Sequence, residues 1–506
     1  MIGPVTSEDD DKDPPTRLPA SRHIARGGLA LIGGKFAAQI FQWGVTLYVT
    51  TLLQPADYGV LTLAAMVFGL AEMVAESGIG RALIQTSELR QSDIAQVFTI
   101  SIVFAAALYV IVYIAAPWLA SYLNEPELTD LLRIIALSIW LTPLQTICGA
   151  LIERRLLLSA QSVIVVTVAV TQGLLVFALA YTGFGVWSLA AGVLGGRLCQ
   201  CLLVWYLSGW RPRVAIPSRR VSSLIRYGMT LNLGSLIWFT NSNADAAVIA
   251  SRLGATALGY YSLAFQIISM PADKLAASVN QIAFAVYCRL QSGPDGLARA
   301  CIRVISLLFA VTAPALIGLA LVAGDVVPML LGAQWQPAVL PLQLLAPTGC
   351  MIVVASTLPP LLNALGRPGV VLYYSVLRAT IFPLAFLFMG WIAGVVGVCI
   401  AWLTLMPIFV VGLVHLTESI TGIGLRKMAD ALAPAAVSVA IMAAAVLAVR
   451  SLLPADAIVG RLAASIVVGV LVYVGTLYLI ARRTLIAEWQ WAYGLLRPGA
   501  GVTICG

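Results

Sequence analysis

The sequence predicts an all-α polytopic membrane protein of about fourteen transmembrane helices, and three observations carry that expectation. Sixty per cent of the 506 residues are hydrophobic and 10% are charged, whereas a soluble domain carries about a quarter charged residues. Apolar stretches of the length one bilayer crossing needs, about 20 residues, recur along the chain. Lys and Arg gather in alternate connections between those stretches, the pattern that the positive-inside rule demands. The net charge of +8 therefore reads as a topology signal and not as a nucleic-acid surface.

Residues 1–26 carry Glu8-Asp9-Asp10-Asp11-Lys12-Asp13-Pro14-Pro15 and no continuous apolar segment, so they read as a disordered cytoplasmic tail rather than a cleaved signal. Six crossings follow, near 27–52, 59–80, 94–116, 131–151, 160–182 and 186–207, forming a first lobe over 27–208. A basic cytoplasmic connector over 209–223, from Trp210-Arg211-Pro212-Arg213 to Arg219-Arg220, leads to a second lobe over 224–414. Its crossings are expected near 224–250, 258–285, 299–322, 338–362, 370–390 and 392–414. Two more helices within 430–481 precede a cytoplasmic tail over 482–506.

With an even count and both termini inside, Arg81, Arg90, Arg154, Arg155, the connector arginines, Arg367, Arg378, Arg426 and Lys427 fall on the cytoplasmic side. Only Arg133, Arg252, Arg450 and Arg461 fall outside, and removing one span would spoil this asymmetry. Trp118, Trp187, Trp335 and Trp391 mark outer span ends and Trp205, Trp210, Trp489 and Trp491 inner ones, as interfacial anchors do. The longest outward loop is expected over 117–130, an ordinary connection that leaves little room for a further domain.

The two lobes repeat one another. Leu53, Gly59, Leu63 and Ala64 recur at Leu253, Gly259, Leu263 and Ala264, a shift of 200 residues. Further on, Leu132-Arg133-Ile134-Ile135-Ala136 aligns with Leu342-Gln343-Leu344-Leu345-Ala346, and Gly185-Val186 with Gly397-Val398. Six crossings per unit start both units from the same side, which makes a parallel repeat about an axis along the membrane normal, with substrate between the lobes.

Polar residues inside apolar spans are costly and are functional candidates by default. They concentrate over 227–285, where Asn241, Asn243, Asp245, Gln266, Asp273, Lys274, Asn280 and Gln281 interrupt lipid-compatible sequence. In the first span Lys35, Gln39 and Gln42 share a helical face, and Glu72 and Glu76 do so in the second. Lys35 and Glu72 are expected at similar depth, where they pair either structurally or in ion coupling. Arg197 lies mid-span with Gln200 on its face. A guanidinium that cannot deprotonate suits an anion such as a diphosphate, and a buried structural pair is the alternative. Pro271 precedes Asp273 and Lys274 and is expected to kink their helix. Asp245 is read either as a coupling carboxylate or as a helix-to-helix hydrogen-bonding group.

Little points to an enzyme. The eight cysteines lie mostly in apolar spans without zinc-like spacing, so neither a metal nor a disulfide framework is expected. GxSxG, P-loop and HExxH motifs are absent, and His23 and His415 sit in the tail and at a span end.

Several segments together resemble a known family: Asn243-Ala244-Asp245, then Leu253-Gly254-Ala255-Thr256-Ala257-Leu258-Gly259-Tyr260-Tyr261, then Gly332-Ala333-Gln334-Trp335-Gln336-Pro337-Ala338 and Ala364-Leu365-Gly366-Arg367-Pro368. Asn124-Glu125-Pro126-Glu127-Leu128 and Leu151-Ile152-Glu153-Arg154-Arg155-Leu156 fit as well. The chain resembles the Wzx-type polysaccharide transporters, lipid-linked oligosaccharide flippases of the multidrug/oligosaccharidyl-lipid/polysaccharide (MOP) exporter superfamily. The resemblance implies a MATE-like fold of two six-helix lobes in a bacterial inner membrane. It implies movement of undecaprenyl-diphosphate-linked oligosaccharide from the cytoplasmic to the periplasmic leaflet by alternating access, for exopolysaccharide, capsule or O-antigen assembly. Implied partners are that lipid-linked substrate, membrane lipid, and polysaccharide polymerase with chain-length or export machinery.

On this reading Lys35, Arg197, Lys274, Gln39 and Asn241 are the substrate-binding candidates, and Glu72, Asp245 and Asp273 the candidates for coupling to H+ or Na+. No cofactor is expected. The alternatives are a cation-coupled multidrug antiporter on the same fold and, from the enzyme class, a membrane polysaccharide polymerase or ligase.

Overall fold

A computed structural model describes residues 21–76, 80, 83, 90–155, 157–216, 236, 239–289, 294–454 and 457–496. Among them, the side chains of 21–32, 271–274 and 481–496 are the main ones left undescribed. Among the described residues the chain is helical and contains no strand.

The first lobe comprises α1 (Ser21–Leu52), α2 (Pro55–Glu76), α3 (Gln91–Leu123), α4 (Glu127–Ala136) continued through a 3-10 turn (Leu137–Leu141) into α5 (Thr142–Arg154), α6 (Leu158–Tyr181) and α7 (Val186–Ser208). The second comprises α8 (Ala244–Arg289), α9 (Pro294–Leu331), a 3-10 turn (Ala333–Ala338) leading into α10 (Val339–Ala364), and α11 (Pro368–Thr421). The last two helices are α12 (Leu425–Leu452) and α13 (Ile458–Leu496).

Two of these are bent pairs. The backbone leaves helical geometry at Gly254 in α8 (φ 81, ψ 176) and at Ala393 and Gly394 in α11, so each folds into two arms. Among the described residues, ten helical stretches are long and apolar enough to cross a membrane, α11 counted once. α1 and α8 fall outside that set but lie along α6 and along α2 and α10, which do cross. Every one of the fourteen expected spans that is described meets helical backbone.

Some boundaries differ from expectation. α3 runs on to Leu123 and ends on Asn124 in the left-handed conformation (φ 57), so the expected 117–130 loop shrinks to the few residues before Glu127. The connection expected between the spans near 224–250 and 258–285 reduces to a turn at Gly254. Pro271 keeps helical backbone, because a neighbouring packed helix can restrain a proline that would kink an isolated one. α13 continues to Leu496, past the expected span end at 481. The 1–20 part of the amino-terminal tail and residues 217–223 of the basic connector lie outside the described residues.

Contacts sort the helix ends onto two faces. On the basic face the Arg154 guanidinium donates to the Leu83 carbonyl at 3.2 Å and Arg155 to the Ser208 carbonyl at 3.0 Å. These positive-inside residues thus also cap helix ends, where carbonyls lack partners and the helix dipole favours cations. On the opposite face the lobes meet. Gly59 of α2 and Gly259 of α8 approach so closely that a Cβ on Gly59 would strike the Ala255 carbonyl, and one on Gly259 the Pro55 carbonyl. Trp335, fully buried, wedges edge-on against Tyr58 (5.8 Å) and Tyr260 (6.1 Å) and donates its indole N–H to the Thr50 carbonyl at 3.0 Å. Tyr58 donates to Gln266 across the same seam. Trp335 is therefore a clamp between lobes, correcting the expectation of an interfacial anchor, and Trp210 is likewise buried, against Phe98.

Replacing Gly259 with Leu is expected to hold this face apart. Thiols placed at Thr51 and Gln334, whose residues touch at 3.4 Å, should be joined by a short bifunctional reagent in membranes far less efficiently in that variant. Unchanged cross-linking would show that the face tolerates the extra side chain.

Candidate functional site

A cavity of about 550 Å³ lies on the basic side of the clamp. α1 supplies Lys35, Gln39 and Gln42, α7 supplies Gln200, and Ala277 comes from α8 of the other lobe. α6 forms its apolar wall through Ile164, Val165 and Val168. α1 can lie this close to α6 because Gly173 leaves room for Phe41 and Gly34 for Ser162. The i, i+4, i+7 spacing read in the sequence thus becomes one polar stripe facing a cavity.

The expected pairing of charges is corrected. Glu72 pairs with Arg197, not with Lys35; both guanidinium nitrogens meet both carboxylate oxygens, a two-pronged geometry that a lysine cannot offer. Arg197 also sits over the Phe68 ring, 5.7 Å from its centroid. Gln145 donates to the Arg197 carbonyl at 2.6 Å, fixing α5 on α7. Both partners remain about a quarter exposed, at 27% and 22%, so the pair is accessible to a competing ion. Lys35 is exposed and has no carboxylate partner among the described residues.

Asp245 lies elsewhere, inside the second lobe at 2% exposure. It accepts hydrogen bonds from the Tyr261 hydroxyl, from Trp402 Nε1 at 3.0 Å and from the Ala246 N–H at 2.8 Å. Trp402 is packed against Phe382 (5.1 Å) and Phe386 (5.4 Å). Arg378 stacks over Phe382 and Trp402, its carbon 5.1 and 5.5 Å from their centroids. Its position corrects the topology count, which had placed it with the loop residues: ten residues into α11, it is about 15 Å from the helix start at 1.5 Å per residue. A charge inside an apolar span was the available signal, masked by its neighbour Arg367 in the loop tally.

Asn241 is half-buried with its Oδ1 unpartnered, and it does not line the cavity. Asp273 and Lys274 stand on the helical backbone of α8, three to four residues before Ala277, with side chains outside the described residues. Arg450 and Arg461, expected on the outer side, converge on Asp325, Arg450 at 2.6 Å. That buried group ties α12 and α13 to α9, because an arginine at a membrane interface is cheaper paired than bare.

Two repeat-related helical lobes, closed over a polar cavity on one face and carrying basic helix ends on the other, define a multi-pass membrane protein with the architecture of the MOP exporters. The chain belongs to the polysaccharide biosynthesis protein family, whose model matches residues 49–340. It is 26% identical over 353 residues to the lipopolysaccharide biosynthesis protein WzxC of Escherichia coli K12, covering 69% of this chain and 71% of that one. Among solved structures it is similar to the lipid II flippase MurJ in an inward closed conformation, with a TM-score of 0.70 at 14% identity over 89% of this chain and 99% of that one. It is also similar to an inward-facing multidrug resistance MATE transporter of the MOP superfamily, with a TM-score of 0.58 at 16% identity over 75% and 95%.

The Asp245 network predicts a graded effect on stability. Asp245→Ala leaves the Tyr261 hydroxyl proton without an acceptor, at about 1–3 kcal/mol, and leaves Trp402 Nε1 only its bond to the Tyr261 hydroxyl oxygen at 2.9 Å, whereas Asp245→Asn keeps a carbonyl acceptor. Thermal unfolding of the purified protein should show Asp245→Ala well below Asp245→Asn; equal midpoints would remove the carboxylate from the packing of this lobe.

Proposed function

We propose that this protein is a flippase that carries undecaprenyl-diphosphate-linked oligosaccharide from the cytoplasmic to the periplasmic leaflet of a bacterial inner membrane by alternating access. The observation that carries the reading is a polar cavity with an unpaired lysine, open towards the basic face and sealed on the other by contact between the lobes. The basic face is then cytoplasmic by the positive-inside rule, which puts both termini inside and makes the sealed face periplasmic. Membership of a polysaccharide biosynthesis family supports a saccharide cargo, and the likeness of the fold to that of a lipid II flippase supports a lipid-linked one.

In this mechanism Lys35 attracts the diphosphate from the inner leaflet, Lys274 adds a cation from the facing lobe, and Arg197 exchanges between Glu72 and the substrate. The diphosphate that takes Arg197 frees Glu72, and a proton or sodium ion taken up at that carboxylate in exchange for the released substrate drives the return step. The ion's affinity differs between the paired and unpaired states, which is the differential interaction that a coupled cycle requires. Asp273 remains a second candidate for that coupling, and Asp245 holds the second lobe together.

A multidrug antiporter is the second reading, favoured by the likeness to the MATE transporter. Its cationic substrates would find an unpaired lysine where they need an anion. A polymerase or ligase would need catalytic loops on the periplasmic face, and the described connections there are turns of a few residues.

Deleting the gene should trap lipid-linked saccharide on the cytoplasmic leaflet, read by leaflet-resolved accessibility. Arg197→Ala should reduce transport about tenfold, the worth of one charge-assisted contact, while Leu198→Ala on the exposed side of the same helix should not. Undiminished transport in a Lys35→Ala, Arg197→Ala, Lys274→Ala triple variant would sink the reading, and drug efflux without saccharide transport would replace it with the antiporter.

A further inference from the structure

The cavity carries more amides than charges. Gln39, Gln42 and Gln200 line it beside Lys35, and no carboxylate does. Elsewhere in the spans glutamines are spent on protein partners: Gln145 on the Arg197 carbonyl, Gln343 on the Ala320 carbonyl, and Gln266 on the Tyr58 hydroxyl. The three cavity glutamines make no hydrogen bond among the described residues. An amide within a span without a partner is costly unless the space it faces holds water or a polar ligand. Each carboxamide offers two donors and an acceptor, the complement of neighbouring hydroxyls on a sugar ring.

Depth orders these groups. Taking Leu52, the end of α1, as the far interface and 1.5 Å per residue, Gln42 lies about 15 Å from it, Gln39 about 20 Å and Lys35 about 26 Å. In a hydrocarbon layer of about 30 Å that puts Gln42 at the midplane and Lys35 about 4 Å short of the inner edge, from where its long side chain reaches up to the inner-leaflet phosphates. Gln200, counted from Val186 on α7, comes about 21 Å deep, level with Gln39 across the cavity. A cation at phosphate level, with neutral amides stacked inward from it, has the polarity of a lipid diphosphate whose sugar points into the protein.

We propose that this cavity holds the junction of the lipid-linked saccharide, with the diphosphate at Lys35 and the first, uncharged sugar ring on the carboxamides of Gln39, Gln42 and Gln200. The proposal rests on the flippase reading and adds a division of labour to it. A cavity of about 550 Å³ is in the range that encloses a drug-sized ligand, enough for the junction but not for a long repeat unit. Selection therefore acts on the first ring, and distal sugars extend past Ala277 between the lobes without being read.

The test compares three probes on the purified full chain: undecaprenyl diphosphate, undecaprenyl diphosphate bearing one glucosyl or galactosyl ring, and the complete saccharide-bearing lipid. A Gln39→Leu, Gln42→Leu, Gln200→Leu variant should bind the first within about twofold of the unsubstituted protein and lose tenfold or more on the other two, as removal of two or more hydrogen bonds implies. Retained binding of the bare diphosphate shows that the variant is folded. Lys35→Gln should weaken all three probes together. If the triple variant does not fold, single Gln39→Ser and Gln200→Ser variants make the same comparison with smaller losses. Equal weakening of all three probes by the glutamine substitutions, or no weakening of any, overturns the sugar assignment and leaves the flippase reading standing. Failure of the unsubstituted protein to bind any probe overturns the flippase reading itself.

Discussion

The structure depends on the close approach of two backbones, Gly59 against Ala255 and Gly259 against Pro55. In lipid no hydrophobic force draws helices together, because acyl chains are as apolar as leucine. Association must come from van der Waals packing, which small residues permit by letting backbones touch. The reciprocal pair is the repeat made physical: the residues that match at a shift of 200 meet across the pseudo-symmetry axis, and Leu63, Ala64, Leu263 and Ala264 beside them are buried. Trp335 then fills the corner that two glycines leave open. Because this contact closes one end of the lobe interface, the space between the lobes opens at the other, and that is where the cavity lies.

The charges obey a second constraint, that an ion within the membrane must be paired or wet. Asp325 takes two arginines, Glu72 takes Arg197, and Asp245 takes neutral donors. Arg378 leans on rings in place of a carboxylate, a cation-π arrangement that offsets part of its desolvation. Among the described residues, Lys35 is the intramembrane cation left over, and it borders the cavity. Among the described lining residues the cavity has one cation and several amides, with Arg197 held on Glu72 apart from them. Such a lining suits a ligand that must be released as readily as it is taken up.

The fold was largely legible because its signals are one-dimensional. Span length, loop charge and the 200-residue shift depend on position along the chain, and helices in lipid leave the backbone few alternatives. The polar stripe Lys35, Gln39, Gln42 was legible for the same reason, since one helix sets its spacing. Partner choice was not. Lys35 and Arg197 are both cations near Glu72 in depth, and only the rotation of α7 on α2 decides which one reaches it. Trp335 read as an anchor because tryptophan at a span end usually faces headgroups; its burial depends on Tyr58 and Tyr260, which come from different lobes. Arg450 and Arg461 were placed on a side but not given a partner, because their common Asp325 lies over a hundred residues away.

The nature of the seal bears on how the proposed transport cycle would be driven. The described contacts across it are backbone approach, ring packing and hydrogen bonds to neutral groups, with no ion pair among them. A coupling ion of the proposed cycle would therefore have no charge at the seal to act on. Its differential affinity would arise at groups whose pairing differs between the two states, and the partly exposed pair of that kind is Glu72 with Arg197. That pair lies within one lobe, on α2 and α7, and α2 is also the helix that carries Gly59. A change in its pairing can thus tilt the helix that forms the seal without any ion reaching the seal itself, and the rigid packing of α2 on α8 is what would carry that small movement to the far face.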